Sequence, residues 1–544
     1  MPLKTAKRLF AEQLIKKNSK KADRELARLL YNSQFKKEFT DYEHARSTIR
    51  QIKGHMGERQ KNNLSDKSLI TPASHSKTYI ATKEPKQYKD ATKRKLNKSK
   101  YYLITWAQNN TPIHKEFWAN LQAYSKFLGA EIHVILGRYK NTNSLQGIND
   151  EEFWDKEVLP YADAHRHHLH KHLELLSDIK TQPTAATPLI GLEGISGLNS
   201  CVIGHPKVQF KVIPALEGYE PKMMFSTGAL TKRNYTDSSA GKKGEFHHTF
   251  GAVIVEIKDK EIFFIRQITA LKNGNFSDLC HEVKDGNVSK VNKIDIAVLG
   301  DTHVNDHCDK VTSRQKEWLK VFKPKYTVLH DIFNGNSINH HEEKDPIKQY
   351  EREQNNSNNL QKEINEMLDW LKCMLPFNPV IVSSNHNDFI DKHIKNNDWK
   401  RSIKNAKTYI ECANILLSGK AKKGLIAYFI DERFGNKVKT LGRDESFKHN
   451  DWELAQHFDL GSNGSRGGIS QFRKLSTKMI GGHSHSPSRT DGVLFVGTST
   501  KLRVGYNISA SSWMNCDVIV HPNGKAQHLI YLGKEKEFTT FKIQ

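Results

Sequence analysis

Three observations predict an α/β fold. Short apolar runs that break sharply into a loop carrying Asp, Asn or His recur through the second half of the chain. A strand, an amphipathic helix and a second strand follow one another between residues 101 and 137. The first 60 residues show only helical spacing. At 544 residues the chain is too long for one core and should hold two or three domains. The predicted organisation is a basic helical module at 1–60, a lysine-rich linker at 61–98, a separate α/β accessory domain at 99–290 and a main domain at 291–544.

Composition narrows the function classes. The 37% hydrophobic content suffices for globular cores, and no apolar run approaches the roughly 20 residues that span a bilayer. The start, MPLKTAKRLF, lacks the apolar core of a signal peptide. Six cysteines, at 201, 280, 308, 373, 412 and 516, form no C-x-x-C pair, so neither a disulfide framework nor a zinc finger is indicated. A reducing cytoplasm is the expected compartment, with no membrane partner. The net charge is +24, and the first hundred residues alone hold 26 Lys and Arg against 10 Asp and Glu. Such a terminal region favours polyanions, DNA above all; the alternative is a solubilising tail.

Within 1–60, Leu26, Leu29 and Leu30 recur at helical spacing, and Thr40 with Glu43 forms a capping box for a helix to about Ile52. That helix sets Arg46, Arg50 and Lys53 along one face, as candidate DNA contacts of a helix-turn-helix-like module. An amphipathic pair with its basic face in water is the alternative. In 99–290, residues 101–105 and 131–137 are expected as parallel strands joined by a helix over about 112–128. Alternating patterns at 208–214 and 252–265 predict further strands. In AHRHHLHKH, His165, His168 and His172 lie at helical spacing and can face one metal, although an exposed His-rich segment fits as well. With no complete catalytic set there, substrate positioning or homo-oligomerisation is the expected role.

The main domain carries the chemistry. IDIAVLGDTH, 294–303, is a buried strand opening into a loop with Asp301 and His303. TVLHDIFNG, 327–335, delivers Asp331; PVIVSSNHND, 379–388, delivers Asn385 and His386; TKMIGGHSHSP, 477–487, delivers His483 and His485. The carboxyl ends of strands are where α/β proteins place their sites. Between the second and third clusters a helix should bury Ile364, Met367, Leu368 and Leu371, and His340 and His341 lie close behind Asp331 in sequence. Residues 424–431, GLIAYFID, are expected as a strand, and strands at 492–497, 516–520 and 528–532 close the fold. The glycine-rich loop 461–468 brings backbone N–H groups and Arg466 near the chemistry, where they can hold phosphate oxygens.

The order GDTH, HDIFNG, SNHND, a lone His457 and GHSH resembles the calcineurin-like metallophosphoesterase superfamily. The layout is similar to its DNA-repair exonuclease branch and to large phage-encoded members, for which the cytoplasm is the host's. His330 and Ser384 stand where that family has Gly, and Gly335 falls one residue early, which touches loop shape. The resemblance implies a β-sandwich flanked by helices over 291–544. It also implies one ion on Asp301, His303 and His485, a second on Asn385, His457 and His483, Asp331 bridging, and His386 as general acid. His449 sits in a polar run after lysine, so His457 is the better lone His.

Seven N and O donors without a thiolate suit two divalent ions, manganese first, with magnesium, iron and zinc as alternatives. The expected activity is two-metal hydrolysis of DNA phosphodiesters. A nucleotide or small-molecule phosphatase, and a DNA-binding scaffold with an idle site, are the competing readings.

Overall fold

A computed structural model describes residues 6–19, 21–53, 85–139, 153–339, 342, 345–505 and 507–540. It divides into two compact units, Met1–Thr82 and Lys83–Gln544. His340, His341 and most of the expected linker lie outside the described residues. Among the described residues no helix is long and apolar enough to cross a membrane.

In the first unit, helices Ala6–Lys17, Asp23–Tyr31 and Tyr42–Ile52 close around Ala11, Leu26, Leu30, Ala45 and Ile49. The cap of the third helix is Asp41, whose carboxylate accepts from the His44 N–H at 2.8 Å, rather than Thr40. Two expectations change here. Residues 32–41 separate the second and third helices, far more than the tight turn of a helix-turn-helix. The basic face is also partly used: Arg46 pairs with Glu43 at 3.1 Å and Lys53 with Asp23 at 3.0 Å, while Arg50 is exposed.

In the second unit, Tyr101–Gln108 and Glu131–Gly137 pair in parallel around the helix Lys115–Leu128, as their spacing predicts. They belong to a five-stranded sheet completed by Phe263–Thr269, Gly251–Ile257 and Ala162–Asp163. The basic run before it is no free linker. Tyr88 and Ala91 on the helix Lys86–Ala91 are buried in this core, and Arg94 pairs with Glu131 at 3.2 Å.

The main site stands on a six-stranded sheet. Its order is Lys439–Thr440, Pro379–Ile381, Tyr326–Leu329, Ile296–Val298, Cys516–Val520 and Ala526–Ile530. Alternation along its central strand sorts the two faces. Ala297 and Leu299 pack with Trp318, Ile364, Met367, Leu371 and Ile430 of the helices. Ile296 and Val298 pack with Ile480 and Leu494 of a second sheet and with Leu454, just past one of its strands. Each Val, Leu, Ile or Met among them contributes about 1.5–3 kcal/mol on full burial.

That second sheet corrects the domain boundary. It has ten strands, running from Lys448–His449, Trp452–Glu453, Lys478–Gly481, Val493–Phe495 and Ser488–Thr490 into Phe210–Ile213, Lys222–Ser226, Ser200–Ile203, Leu173–Leu176 and Arg166–His170. Arg489 bridges Phe210 at the junction. Segments 99–290 and 291–544 therefore share one sheet and one compact unit, because their strands hydrogen-bond to each other across the expected division.

Two further elements differ from expectation. Residues 424–431 lie in a helix, Leu425–Phe434, whose first N–H donates to the Asp391 carboxylate at 3.0 Å. A short apolar run has no period of its own, and packing on the sheet decided it. The His-rich segment is the strand Arg166–His170, not a helix, so His165, His168 and His172 share no helical face. The side chains of His168 and His172 lie outside, 73% and 46% exposed, beside Glu174 and Glu261.

Candidate metal centre

Three of the four loops predicted at strand ends leave the six-stranded sheet, after Ile296–Val298, Tyr326–Leu329 and Pro379–Ile381, and they meet the fourth, which leaves the ten-stranded sheet after Lys478–Gly481. Beyond the strand Ile296–Val298 the parallel ladder continues into the loops: the N–H groups of Thr302, His303 and Val304 donate to the carbonyls of His330, Asp331 and Ile332 at 3.1, 2.7 and 3.1 Å. This zipper lays Asp301 and His303 beside Asp331. His303, Asp331, His483 and His485 all take positive φ, 42°, 42°, 79° and 55°. Non-glycine residues held there are strained, and such strain gathers at functional sites. Gly482 is required sterically, since a Cβ on it would lie 2.0 Å from Asp301 Oδ1.

Around Asp331 the donors fall into two groups. On one side, His303 Nε2 lies 3.1 Å from His485 Nε2, His485 Nε2 lies 3.1 Å from Asp301 Oδ2, and His303 Nε2 lies 3.6 Å from Asp331 Oδ2. On the other, His457 Nε2 lies 3.0 Å from Asp331 Oδ2 and 3.1 Å from Asn385 Oδ1, which is 3.2 Å from His483 Nδ1. All seven predicted donors are thus brought together. The Asp301, His303, Asp331 and His485 side chains are buried, with ligand atoms within 4.8 Å of one another, and can hold a metal ion.

The chemistry of the set fits a cation. Asp301 Oδ1 is buried without a hydrogen bond, a cost that a positive charge removes. Burial alone would raise the Asp301 pKa, but the His457 charge and the His485 hydrogen bond bring it down to about 2. Asp331 is held well below the carboxylate range in the same way. Burial pushes the His303 and His483 imidazoles down, leaving neutral rings with lone pairs. His457 is the exception: against burial, the Asp331 and Asp301 charges push it up to about 9.

His386 stands beside the donors rather than among them. Its Nδ1 donates to the Asn334 carbonyl at 2.8 Å, its ring stacks on Phe389 at 4.4 Å, and its backbone N–H reaches Asp331 Oδ1 at 3.3 Å. With Nδ1–H committed to a carbonyl, Nε2 is the nitrogen that can exchange a proton.

Most N–H groups of the glycine-rich loop are already committed. The N–H groups of Gly461, Gly464, Ser465 and Gly467 bond to carbonyls within the loop or to Asp459, and that of Ser462 to the Gln471 side chain. What remains for a substrate is the exposed side chain of Arg466 and the N–H groups of Asn463, Arg466 and Gly468.

Protein A1 of Escherichia phage T5 is 30% identical over 473 residues, 79% of this chain and 81% of that protein. The chain belongs to the A1 family. No family model matches it, and no solved structure matches it.

Sequence reasoning missed several supports of this A1-family site. Arg443 donates to Asp388 and Asp459 at 2.7 Å each, tying the loop of Asn385 to the loop of His457. Asp517 accepts from the Gly300 N–H at 2.8 Å, from Gln315 at 2.9 Å and from Tyr531 at 2.5 Å, anchoring the turn that aims Asp301. An Asp inside the apolar run CDVIV is a readable signal; a lone Arg in a polar stretch is not. His330 is buried, 3.4 Å from His457 through its Nδ1.

A second buried group, His133, Asp163 and His167, can also be arranged about an ion, but its geometry is that of hydrogen bonding. Asp163 accepts from His133 Nδ1 at 2.5 Å and from His167 Nε2 at 2.9 Å, while His133 Nε2 faces Glu131 at 3.4 Å. With His133 Nδ1–H and His167 Nε2–H both given to Asp163, neither of those nitrogens keeps a lone pair for a metal. The hydrogen bonds to Asp163 and Glu131 outweigh burial and raise the His133 pKa, and those from His133 and His167 lower that of Asp163. The raised group stabilises fully below histidine's ordinary pKa of about 6.5 and loses this as pH rises through its folded value. The lowered one stabilises above about 3.9 and loses this on acidification. The urea midpoint of the wild type should therefore fall from pH 6.5 to 9.5 by more than that of His133→Gln; parallel falls would contradict the clamp.

Proposed function

We propose that this chain is a dinuclear metal-dependent phosphodiesterase that hydrolyses DNA. The observation that carries the proposal is the placement of Asp331 between two donor groups of three, Asp301, His303 and His485 on one side and Asn385, His457 and His483 on the other. The resemblance to calcineurin-like metallophosphoesterases supports the same division, with manganese the first candidate and magnesium, iron or zinc the others. Two divalent ions, when bound, neutralise phosphate charge and bring a water to ionisation near neutral pH.

The protein's own groups supply the rest. Asn385 offers its carbonyl oxygen inward, which leaves the adjacent His386 ring free of the donor set. His386 Nε2 gives its proton to the departing alkoxide oxygen, and the Asn334 carbonyl holds the ring at the angle this needs. Arg466 contributes charge from outside. DNA is favoured over nucleotides by the +24 charge and its concentration in the first hundred residues. The phage setting of the A1 family suits an enzyme that degrades host DNA.

Plasmid degradation with manganese, set beside phosphate release from nucleotides, tests the reading. Nucleotide turnover without DNA cleavage would favour the phosphatase, and DNA binding without either activity the scaffold. The terminal unit has its own expected result. A chain beginning at Lys83, which keeps Tyr88, Ala91 and Arg94 in the second unit's core, should still cleave a nitrophenyl phosphodiester. It should bind DNA more weakly and with a shallower salt dependence, since each lost phosphate contact removes about 0.9 from the slope. An unchanged slope would separate residues 1–82 from DNA binding.

A further inference from the structure

Several sheltered cations among the described residues are paired with carboxylates, and Lys222 gives its ammonium to the Glu193 and Gly197 carbonyls. Lys207 meets Asp491 at 2.8 Å, Arg266 meets Asp278 at 2.7 Å and Glu256 at 3.1 Å, and Arg443 lies between two carboxylates. Arg489 and Lys525 break that pattern.

Arg489 sits on the strand Ser488–Thr490 of the ten-stranded sheet, and Lys525 on the turn joining Cys516–Val520 to Ala526–Ile530 of the six-stranded sheet. Both are partly buried where the two sheets meet. Arg489 Nη1 points at the Ala526 carbonyl, but at 3.4 Å, beyond the usual range of about 2.7–3.2 Å. Neither side chain is ion-paired among the described residues. The turn is fixed: the His521 N–H donates to the Lys525 carbonyl at 2.9 Å, and Trp452 Nε1 donates to the Gly524 carbonyl at 3.1 Å. Lys478, the cross-strand neighbour of that Trp452, adds a third cation, and its one carboxylate partner, Asp451, is exposed and 3.5 Å away. Burial lowers the Arg489 pKa to about 10; burial, then repulsion from Arg489 and Lys478, lowers that of Lys525 to about 8.

Fixed, unpaired positive charge at a seam costs stability unless an anion meets it. A guanidinium and an ammonium together match a tetrahedral oxyanion, which accepts from both. We infer that Arg489, Lys525 and Lys478 form a binding site for a phosphate-class oxyanion, separate from the metal centre. The occupant is either free phosphate or a backbone phosphate of DNA. The inference does not depend on the chain being a nuclease.

The test uses the full-length protein, inorganic phosphate and a DNA duplex. Thermal midpoints are measured in chloride and in phosphate at equal ionic strength, for wild type, Arg489→Met and Lys525→Gln. Arg489→Met should be at least as stable as wild type in chloride, because it removes a charge without a counterion. Both variants should lose part of the phosphate-dependent rise, and phosphate affinity should fall about tenfold or more. Should Arg489→Met not fold, Lys525→Gln on its turn decides alone. On duplex DNA, a salt slope shallower by about 0.9 in Lys525→Gln identifies a backbone phosphate as the occupant. An unchanged slope with a lost phosphate response identifies the free anion. An undiminished phosphate response in the folded variants would overturn the site.

Discussion

Asp331→Ala should lose DNA hydrolysis by about 10⁴-fold or more, the largest effect of any single substitution, because residues acting as a unit fail together. Asp331 Oδ2 lies 3.0 Å from His457 and 3.6 Å from His303, one histidine from each donor group. Its removal should also lower manganese content, whereas His483→Ala should weaken one side only. The Asp331→Ala protein should stay folded, since Ile332 and Phe333 beside it remain in the helix-side core. Turnover near wild type in this variant would remove the carboxylate from the centre of the mechanism.

His386→Ala should lose about 10²–10⁴-fold in rate while keeping its metal. The two parts of this expectation separate a proton donor from a ligand. His386 Nδ1 is committed to the Asn334 carbonyl, and its ring stands edge-on to His303 at 4.4 Å. Its loss should matter most when the leaving group is a poor one, as the 3′- or 5′-oxygen of DNA is. With a nitrophenyl ester, whose leaving group departs without a proton, the loss should shrink to a small factor. An equal loss on both substrates, or an ion missing by elemental analysis, would move His386 into the donor set.

Local pattern was enough where each residue's environment is set by its neighbours in sequence. Ile296 to Leu299 alternate between two cores as a strand must, and Ile364, Met367, Leu368 and Leu371 share the buried face of the helix Leu360–Lys372. Most donor residues could be located for the same reason: Asp301, His303, Asp331 and Asn385 sit behind apolar strands of the six-stranded sheet, His483 and His485 behind one of the ten-stranded sheet, and only His457 needed the resemblance. Long-range pairing left no such trace. Nothing near Phe210 announces Arg489 as its partner, so a ten-stranded sheet was divided into two expected domains. The run at 424–431 could not reveal whether a sheet edge or a sheet face awaited it, and a face did. The histidines at 165–172 fit a helix by number, but the strand Arg166–His170 turns His167 and His170 inward and His168 outward. Arg443 escaped notice because its two carboxylate partners come from loops distant in sequence.

The most direct measurement is a manganese titration of the metal-stripped, full-length protein, with bound metal and plasmid cleavage followed in the same samples. The account predicts two ions per chain, cleavage that appears as the second ion binds, and its loss in excess chelator. Cleavage by the stripped protein, or saturation of activity at one ion per chain, would contradict it.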